Sequence, residues 1–241
     1  GDALTTGNSN TVFGRSALST EDTGGRAVAI GYGALFAQNY DGNSYNVAMG
    51  YNAGTAVTTG TQNTLIGANA GDALTTGGSN VVVGYGALST EDTHGKNVAI
   101  GYHALLSQNA GAEAYNVAVG FKAGEAVTTG TYNTTIGGNA GDSLTTGTAN
   151  TVLGAEALQT EDTTSFNTAI GSQALKVQDG GANNTAIGRQ AGLAVSTGSN
   201  NTMLGRNAGD ALTTGDNNII IGYTAAASAV DVNNEITLGN S

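Results

Sequence analysis

Three Glu-Asp pairs recur at regular intervals along the chain and are the side chains of this sequence best suited to acid–base or metal chemistry. They are Glu21-Asp22, Glu91-Asp92 and Glu161-Asp162, each preceded and followed by threonine. Two carboxylates can act as general acid and base in glycoside hydrolysis, or they can bind Ca²⁺ through oxygen ligands. Adjacent residues on a strand point to opposite faces, which disfavours both roles. We therefore expect a solvated acidic edge that opposes lateral aggregation, with no catalytic residue, metal or cofactor.

A second candidate set is aromatic and directly follows a recurring glycine. Aromatic faces arranged in a row can stack on sugars, so these residues are candidate contacts for a glycan. The competing interpretation is that the rings pack as a ladder between repeats, or fill a groove between subunits. The main members are Tyr32, Tyr51, Tyr85, Tyr102 and Phe121.

Composition and charge exclude several classes of protein. The net charge is −11, which argues against a nucleic-acid-binding surface. There is no cysteine, so no disulfide framework or thiolate metal site is available. No apolar run approaches the ~20 residues of a membrane helix, so membrane insertion is not expected. The sequence opens on Gly1-Asp2 without a signal peptide, and we expect an internal fragment of a longer protein.

An internal repeat fixes the position of all these residues. Its signature is Asn, a β-branched residue, any residue, an apolar residue, Gly, two variable residues and Ala, as in 46–53 and 184–191. There are fourteen signature glycines, and successive ones are 17 residues apart, as Gly14 and Gly31 are, except for two 19-residue intervals such as Gly31 to Gly50. Four repeats make up a longer period of 70 residues. Representative anchors are Gly31, Gly50, Gly67, Gly101 and Gly120, with Asn46, Asn63, Asn97 and Asn116, and with Ala53 and Ala123.

The repeat predicts an all-β parallel solenoid of about fourteen coils. Such short units cannot fold alone, but each suffices for one turn with two short strands and two bends, stacked on its neighbours. The segment before each glycine alternates with period two and predicts a strand. The glycine is expected at a bend with positive φ or close backbone approach, the alanine where only a small side chain fits, and the asparagine in hydrogen bonds along the stack. The Thr-Thr-Gly segments predict an outer strand.

The solenoid is expected over residues 1–222, with 223–241 as a cap or a transition to a chaperone domain. Within it, the two 19-residue coils are expected to place 38–44 and 108–114 in small protruding loops. The division between 1–222 and 223–241 follows from the end of the regular repeat after Gly222.

Both faces of the predicted strand are apolar. The residue two before the signature glycine would be polar if its face met water, yet it is apolar in twelve of fourteen repeats. One face can line the coil, and the other is expected to meet a partner chain in a cyclic assembly. The alternative is a monomeric solenoid in which both faces touch parts of the same coil.

The repeat motifs resemble two groups of fibrous proteins. The segment 184–192, Asn-Thr-Ala-Ile-Gly-Arg-Gln-Ala-Gly, followed by Thr-Gly-Ser-Asn-Asn-Thr at 197–202, resembles repeats in the tail fibres of tailed bacteriophages. The Asn-Thr-Ala-Ile-Gly motif also resembles the β-roll heads of trimeric autotransporter adhesins. Residues 234–241 are similar to the segment that precedes the self-cleaving intramolecular chaperone domain of such fibres.

The resemblance implies a non-enzymatic homotrimeric fibre that attaches a virus or a cell to a surface. It would act as a rigid shaft, a binder of a host glycan or protein receptor, or both, in a virion tail or on a bacterial cell surface. Two other classes stay open. One is a monomeric ice- or surface-binding solenoid that uses the paired threonines at 58–59, 75–76, 128–129 and 145–146. The other is a polysaccharide-degrading tailspike, which needs a clustered carboxylate site.

Overall fold

The protein is an all-β parallel solenoid. The computed structural model describes residues 1–160 and 163–239, and the chain divides into two compact units, Gly1–Val119 and Gly120–Ser241. Every regular element in the described part of the chain is a three-residue strand. Within that part, no helix is long and apolar enough to cross a membrane. The prediction of an all-β parallel solenoid is therefore confirmed.

Seven strands form the first unit, and each ends at the residue before a signature glycine. Successive strands pair in parallel and in chain order. Each strand residue pairs with its equivalent in the next repeat, as in Thr11↔Val28, and the two longer coils keep this register, as in Val28↔Val47 and Val98↔Val117. The strands are β1 (Thr11–Phe13), β2 (Val28–Ile30), β3 (Val47–Met49), β4 (Thr64–Ile66), β5 (Val81–Val83), β6 (Val98–Ile100) and β7 (Val117–Val119).

The second unit repeats this arrangement with seven further strands. They also pair in parallel and in chain order, with β14 extending the solenoid into the segment 223–241. The strands are β8 (Thr134–Ile136), β9 (Thr151–Leu153), β10 (Thr168–Ile170), β11 (Thr185–Ile187), β12 (Thr202–Leu204), β13 (Ile219–Ile221) and β14 (Ile236–Leu238).

Among the described residues each coil contains one strand, so the prediction of two strands per coil was wrong. The Thr-Thr-Gly segments, such as 58–60, form bends. In that coil Asn52, Gly54 and Gln62 have φ of 53°, 58° and 62°, in the left-handed region. Left-handed residues interrupt extended backbone at both ends of the segment 55–61, and within it the chain bends at Thr58 and Thr59 instead of forming a strand.

The core includes the middle residue of the strands β2 to β13 and the alanine three residues after each signature glycine. Ala48, Leu65 and Val82 in the first unit are fully buried, and so are Ala53 and Ala123. The first and third strand residues point the other way and are partly exposed, as Met49 and Ile66 show. The alternation predicted from the sequence thus divides each strand into a core face and an outer face.

Two coil types fill the core in complementary ways. Where leucine stands four residues after the signature glycine, as at Leu35, the residue three further on is polar and buried, as at Gln38. Where glycine stands there, as at Gly54, the later residue is apolar, as at Val57. A Cβ on Gly54 would lie 2.5 Å from Leu65 Cδ1 and 3.2 Å from Val57 Cγ2. The two positions therefore share one core volume, which only one of them can fill.

Hydrogen bonds from the signature asparagines connect consecutive coils. Asn46 Oδ1 accepts from the Asn63 backbone N–H at 2.9 Å, and Asn97 Oδ1 accepts from Asn116 N–H at 3.1 Å. Asn46 Nδ2 also donates to the carbonyl of Gly60 at 2.7 Å. These side chains are fully buried and satisfy backbone groups that would otherwise lack partners.

The signature glycines adopt backbone conformations that other residues avoid. Their φ angles lie between 129° and 144° at Gly31, Gly50, Gly67, Gly101 and Gly120. A Cβ on Gly50 would lie 2.5 Å from the carbonyl oxygen of Gly67 in the next coil. Both expected causes, positive φ and close backbone approach, therefore apply at this position.

Candidate functional site

Tyrosines from neighbouring coils form stacked pairs on the surface of the first unit. The ring centroids of Tyr32 and Tyr51 lie 5.4 Å apart with an interplanar angle of 11°, and those of Tyr85 and Tyr102 lie 5.7 Å apart at 12°. All four side chains are roughly half exposed. Each ring follows a signature glycine, so the repeat places successive rings one coil apart, near the ~4.8 Å strand spacing.

Phe121, the fifth aromatic candidate, lies in the second unit. Its side chain is exposed, and the Lys122 ammonium lies 5.9 Å from its ring centroid. This distance is within the range of a cation–π contact. Phe121 is thus accessible, as its sequence position suggested.

A surface groove of about 290 Å³ lies beside Tyr32 and Tyr51. Three aromatic side chains, those of Tyr32, Tyr51 and Phe36, line it. Ser16, Asn52 and Thr55 add polar groups, and the buried Gly33 completes the lining. The groove therefore combines apolar ring surfaces with hydroxyl and amide groups.

Sequence reasoning found the tyrosines of this groove but missed its other residues. Ser16, Gly33 and Asn52 each stand two residues after the signature glycine in three consecutive coils. Phe36 and Thr55 each stand five residues after it in two of the same coils. The sequence signal was therefore the set of residues at equivalent positions in consecutive coils, which is not visible when single motifs are inspected.

Glu21 and Glu91, the glutamates of the two described acidic pairs, are buried, which corrects the expected solvated acidic edge at these pairs. Glu21 is fully buried and accepts hydrogen bonds from Gly24 N–H at 2.8 Å, Gln38 Nε2 at 3.1 Å and Tyr40 N–H at 3.1 Å. These donors replace water around the carboxylate, which makes burial possible. Glu21 stands seven residues after its signature glycine, the position that Val57 occupies in the other coil type, and the side chains at this position point into the core.

The second acidic pair follows the same pattern. Glu91 is fully buried, and its Oε1 accepts from His94 N–H at 3.0 Å. Asp22 and Asp92 are partly exposed, and their backbone carbonyls accept from Thr5 and Thr75 at 2.8 and 2.6 Å. Each described pair thus divides into a buried glutamate and a partly exposed aspartate.

These pairs do not assemble into a metal or acid–base centre in the part of the chain that the structure describes. No group of three or more histidine, cysteine, aspartate or glutamate side chains suited to a metal ion occurs among the described residues. The third pair, Glu161-Asp162, lies outside the described residues.

Asp72, in the recurring Gly-Asp-Ala-Leu segment, offers a test of the cost of burying a carboxylate. Its Oδ1 is buried without a hydrogen-bond partner. Burial raises the pKa of Asp72 above its ordinary value of 3.8, and hydrogen bonds from the Asp72 and Ala73 backbones offset this only in part. A raised pKa in the folded state means that Asp72 favours folding below about pH 3.8, and that this contribution is lost as pH rises through the folded-state pKa.

We therefore expect Asp72→Asn to raise the melting temperature modestly at pH 7, with the difference shrinking as the pH falls below about 3.8. Differential scanning calorimetry across this pH range measures both effects. Asp210→Asn is a suitable control, because Asp210 Oδ2 already accepts from Asn207 Nδ2 at 3.2 Å. A lower melting temperature for Asp72→Asn at pH 7 would contradict the expectation.

No protein-family model matches the chain, and no curated protein is significantly similar to it in sequence.

Proposed function

We propose that this chain is a non-enzymatic segment of an attachment fibre, built from copies of the solenoid that associate through the outer face of their strands. The observation that carries the proposal is the row of exposed apolar side chains along this face in each unit. In the first unit they include Phe13, Met49, Ile66 and Val81, at 76%, 40%, 36% and 39% exposure.

The second unit carries an equivalent row. It includes Leu153, Ile187, Leu204, Ile219 and Ile236, at 45%, 37%, 43%, 39% and 68% exposure. Parallel sheets are normally covered on both faces, and an ordered apolar row differs from the scattered exposed hydrophobics of most surfaces. A covering partner explains both features.

The partner that fits best is a second copy of the same chain. An apolar side chain recurs on this face at every coil, so a partner must offer contacts with the same spacing along the whole row. Identical solenoids side by side meet that requirement, and closed cyclic symmetry limits their number. The resemblance to trimeric fibres favours three copies around a common axis, in a virion tail or on a bacterial surface.

The chemistry of the other candidate residues supports a structural and binding role. The oxygens of Glu21 are occupied by three protein donors, which leaves little capacity for acid–base work on a substrate. The first threonine of two of the pairs is also engaged, because the Thr58 and Thr75 hydroxyls donate to the carbonyls of Thr75 and Asp92 at 3.2 and 2.7 Å. Such hydroxyls are not available as a regular array for ice, and the fibre is preferred over an ice-binding solenoid.

Association through the outer strand face predicts a mass of three times the 23.7 kDa chain in solution. The double variant Ile66→Asp, Leu204→Asp is expected to run as a monomer, because assembly would bury two unpaired charges. Both side chains are exposed in the single chain, so the substitutions should leave its fold intact. Light scattering after size exclusion gives the masses, and circular dichroism checks the fold.

The control is Thr59→Asp with Thr76→Asp, two exposed positions outside the outer strand face, which should leave the mass unchanged. A wild-type chain that stays monomeric at micromolar concentration would contradict the self-association. Labelled wild-type protein should also adhere to host cells, and thermal hysteresis in a monomeric sample would favour the ice-binding alternative.

A further inference from the structure

We propose that the groove beside Tyr32 and Tyr51 is a binding site for one neutral pyranose ring of a surface polysaccharide or glycan. The inference rests on the proposed attachment function, since it assigns that function a ligand class and a location. It draws on the shape, chemistry and charge of the groove, and on a comparison within the chain itself.

The aromatic part of the groove suits the apolar face of a sugar. Tyr32 and Tyr51 are nearly parallel and are 46% and 55% exposed, and Phe36 beside them is 46% exposed. Three aromatic side chains that converge on one concave surface lose little conformational freedom when they bind a ligand. The C–H groups on one face of a pyranose ring supply the apolar surface that such rings contact.

The polar part of the groove has hydrogen-bonding groups available for a ligand. The structure shows no hydrogen bond from or to the side chains of Ser16, Asn52 or Thr55 within the described residues. Two hydroxyls and one amide can donate to and accept from sugar hydroxyls. A mainly apolar lining with a few polar groups is typical of small-ligand sites.

The size and charge of the groove define the ligand further. Its volume of about 290 Å³ lies just below the range for drug-sized ligands, about 300–1,000 Å³, which suits a single ring. The seven lining residues, all in the described part of the chain, include no charged side chain. The Arg15 guanidinium lies 5.8 Å from the Tyr32 ring centroid but is not among the lining residues, so the lining itself offers an acidic sugar no cation and a neutral sugar is the better match.

The corresponding place in the next period of four coils is occupied by a side chain of the protein itself. His103 stands one full period after Gly33, and its ring stacks on Tyr102 with centroids 3.9 Å apart. The backbone is similar at both positions, with φ of 66° at Gly33 and 56° at His103. Gly33 therefore leaves open a space that an imidazole occupies one period later. The substitution Gly33→His is expected to fill this space in the same way.

The test uses the full chain in the assembly it forms in solution. An array of neutral oligosaccharides of glucose, galactose, mannose and N-acetylglucosamine is screened, and the tightest binder is titrated by calorimetry. Gly33→His, which fills the groove, and Tyr51→Ala, which removes half of the tyrosine pair, are each expected to weaken binding at least tenfold. Tyr85→Ala removes a tyrosine from the other pair and should leave the affinity within twofold.

A Cβ on Gly33 would lie 2.5 Å from Asn52 Oδ1. In case this contact prevents Gly33→His from folding, Asn52→Ala is a second variant that tests the same groove. This variant should weaken binding, and because alanine at the left-handed φ of 53° lowers the melting temperature modestly, circular dichroism at the titration temperature checks that it is folded. The proposal is overturned if no neutral oligosaccharide binds, or if binding survives both Tyr51→Ala and Asn52→Ala. An assembled protein that adheres to cells but binds no sugar would refute the groove alone, whereas a sugar-binding monomer would refute the fibre assembly alone.

Discussion

Replacing Gly137 by alanine is expected to lower the free energy of unfolding by more than about 3 kcal/mol. Gly137 has φ of 133°, a region that residues with a side chain rarely adopt. A Cβ there would also lie 2.7 Å from both the carbonyl carbon and the carbonyl oxygen of Gly154 in the next coil, and 3.0 Å from Ala155 N. Because these atoms are backbone, they cannot move without disturbing the pairing of β8 with β9.

The neighbouring glycine provides the matched control. A Cβ on Gly138 would meet no atom within 4 Å, and other residues such as tyrosine and arginine stand at this position in other coils. Gly138→Ala should therefore be neutral or stabilise by about 0.4–1 kcal/mol, because it restricts the unfolded chain. Urea denaturation followed by circular dichroism measures both variants. Equal stabilities for the two variants would show that close stacking at the signature glycine is not a requirement of the fold.

Glu21→Ala is expected to destabilise the protein by about 3 kcal/mol or more. The substitution removes the acceptor of Gly24 N–H, Gln38 Nε2 and Tyr40 N–H, and it opens a cavity at a fully buried position. Each buried donor left without a partner costs about 1–3 kcal/mol. Within the predicted loop 38–44, Gln38 and Ser44 are fully buried and only 39–43 are exposed or partly exposed, so the loss of the Tyr40 N–H bond should also increase hydrogen exchange of the amides at 39–43.

Asp22→Ala is the control for this second prediction. Asp22 is partly exposed, and its contacts with Thr5 run through its backbone carbonyl, which alanine retains. Its stability should stay within about 0.5 kcal/mol of the wild type. Glu21→Gln keeps one acceptor oxygen and should give an intermediate loss. If Glu21→Ala were as stable as Asp22→Ala, the buried network would have no role in the fold.

The strands could be predicted from the sequence because one pattern recurs fourteen times in register. Single tripeptides such as Val47–Met49 carry almost no local signal, but the column of β-branched residues, glycine and alanine defines both the strand and its end. The second strand per coil was predicted wrongly because the Thr-Thr-Gly segments have strand-like composition. The segment 58–60 instead forms bends between the left-handed residues Gly54 and Gln62, a backbone conformation that residue type alone does not reveal.

The burial of Glu21 and Glu91 was missed for a related reason. Their charge and their neighbouring aspartates suggested a surface edge, and the donors that make burial possible come from backbone groups and from Gln38 one coil away. Aligning the two coil types would have placed both glutamates in the same column as Val57 and Leu74. The position of the glutamates in the repeat therefore indicated burial, whereas their charge suggested a place on the surface.

The two longer coils show how the solenoid can accept extra residues in evolution or by engineering. The coil between β2 and β3 is longer than its neighbours, since Val28 pairs with Val47, yet all three residue pairs of the ladder are kept. The same holds between β6 and β7. Extra residues leave the stack at the loop and rejoin it without shifting any later strand. New side chains can therefore be displayed in the segment 39–43 while the strand ladder keeps its register, provided that the Tyr40 N–H bond to Glu21 and the bridge between Gly25 and Asn43 are retained.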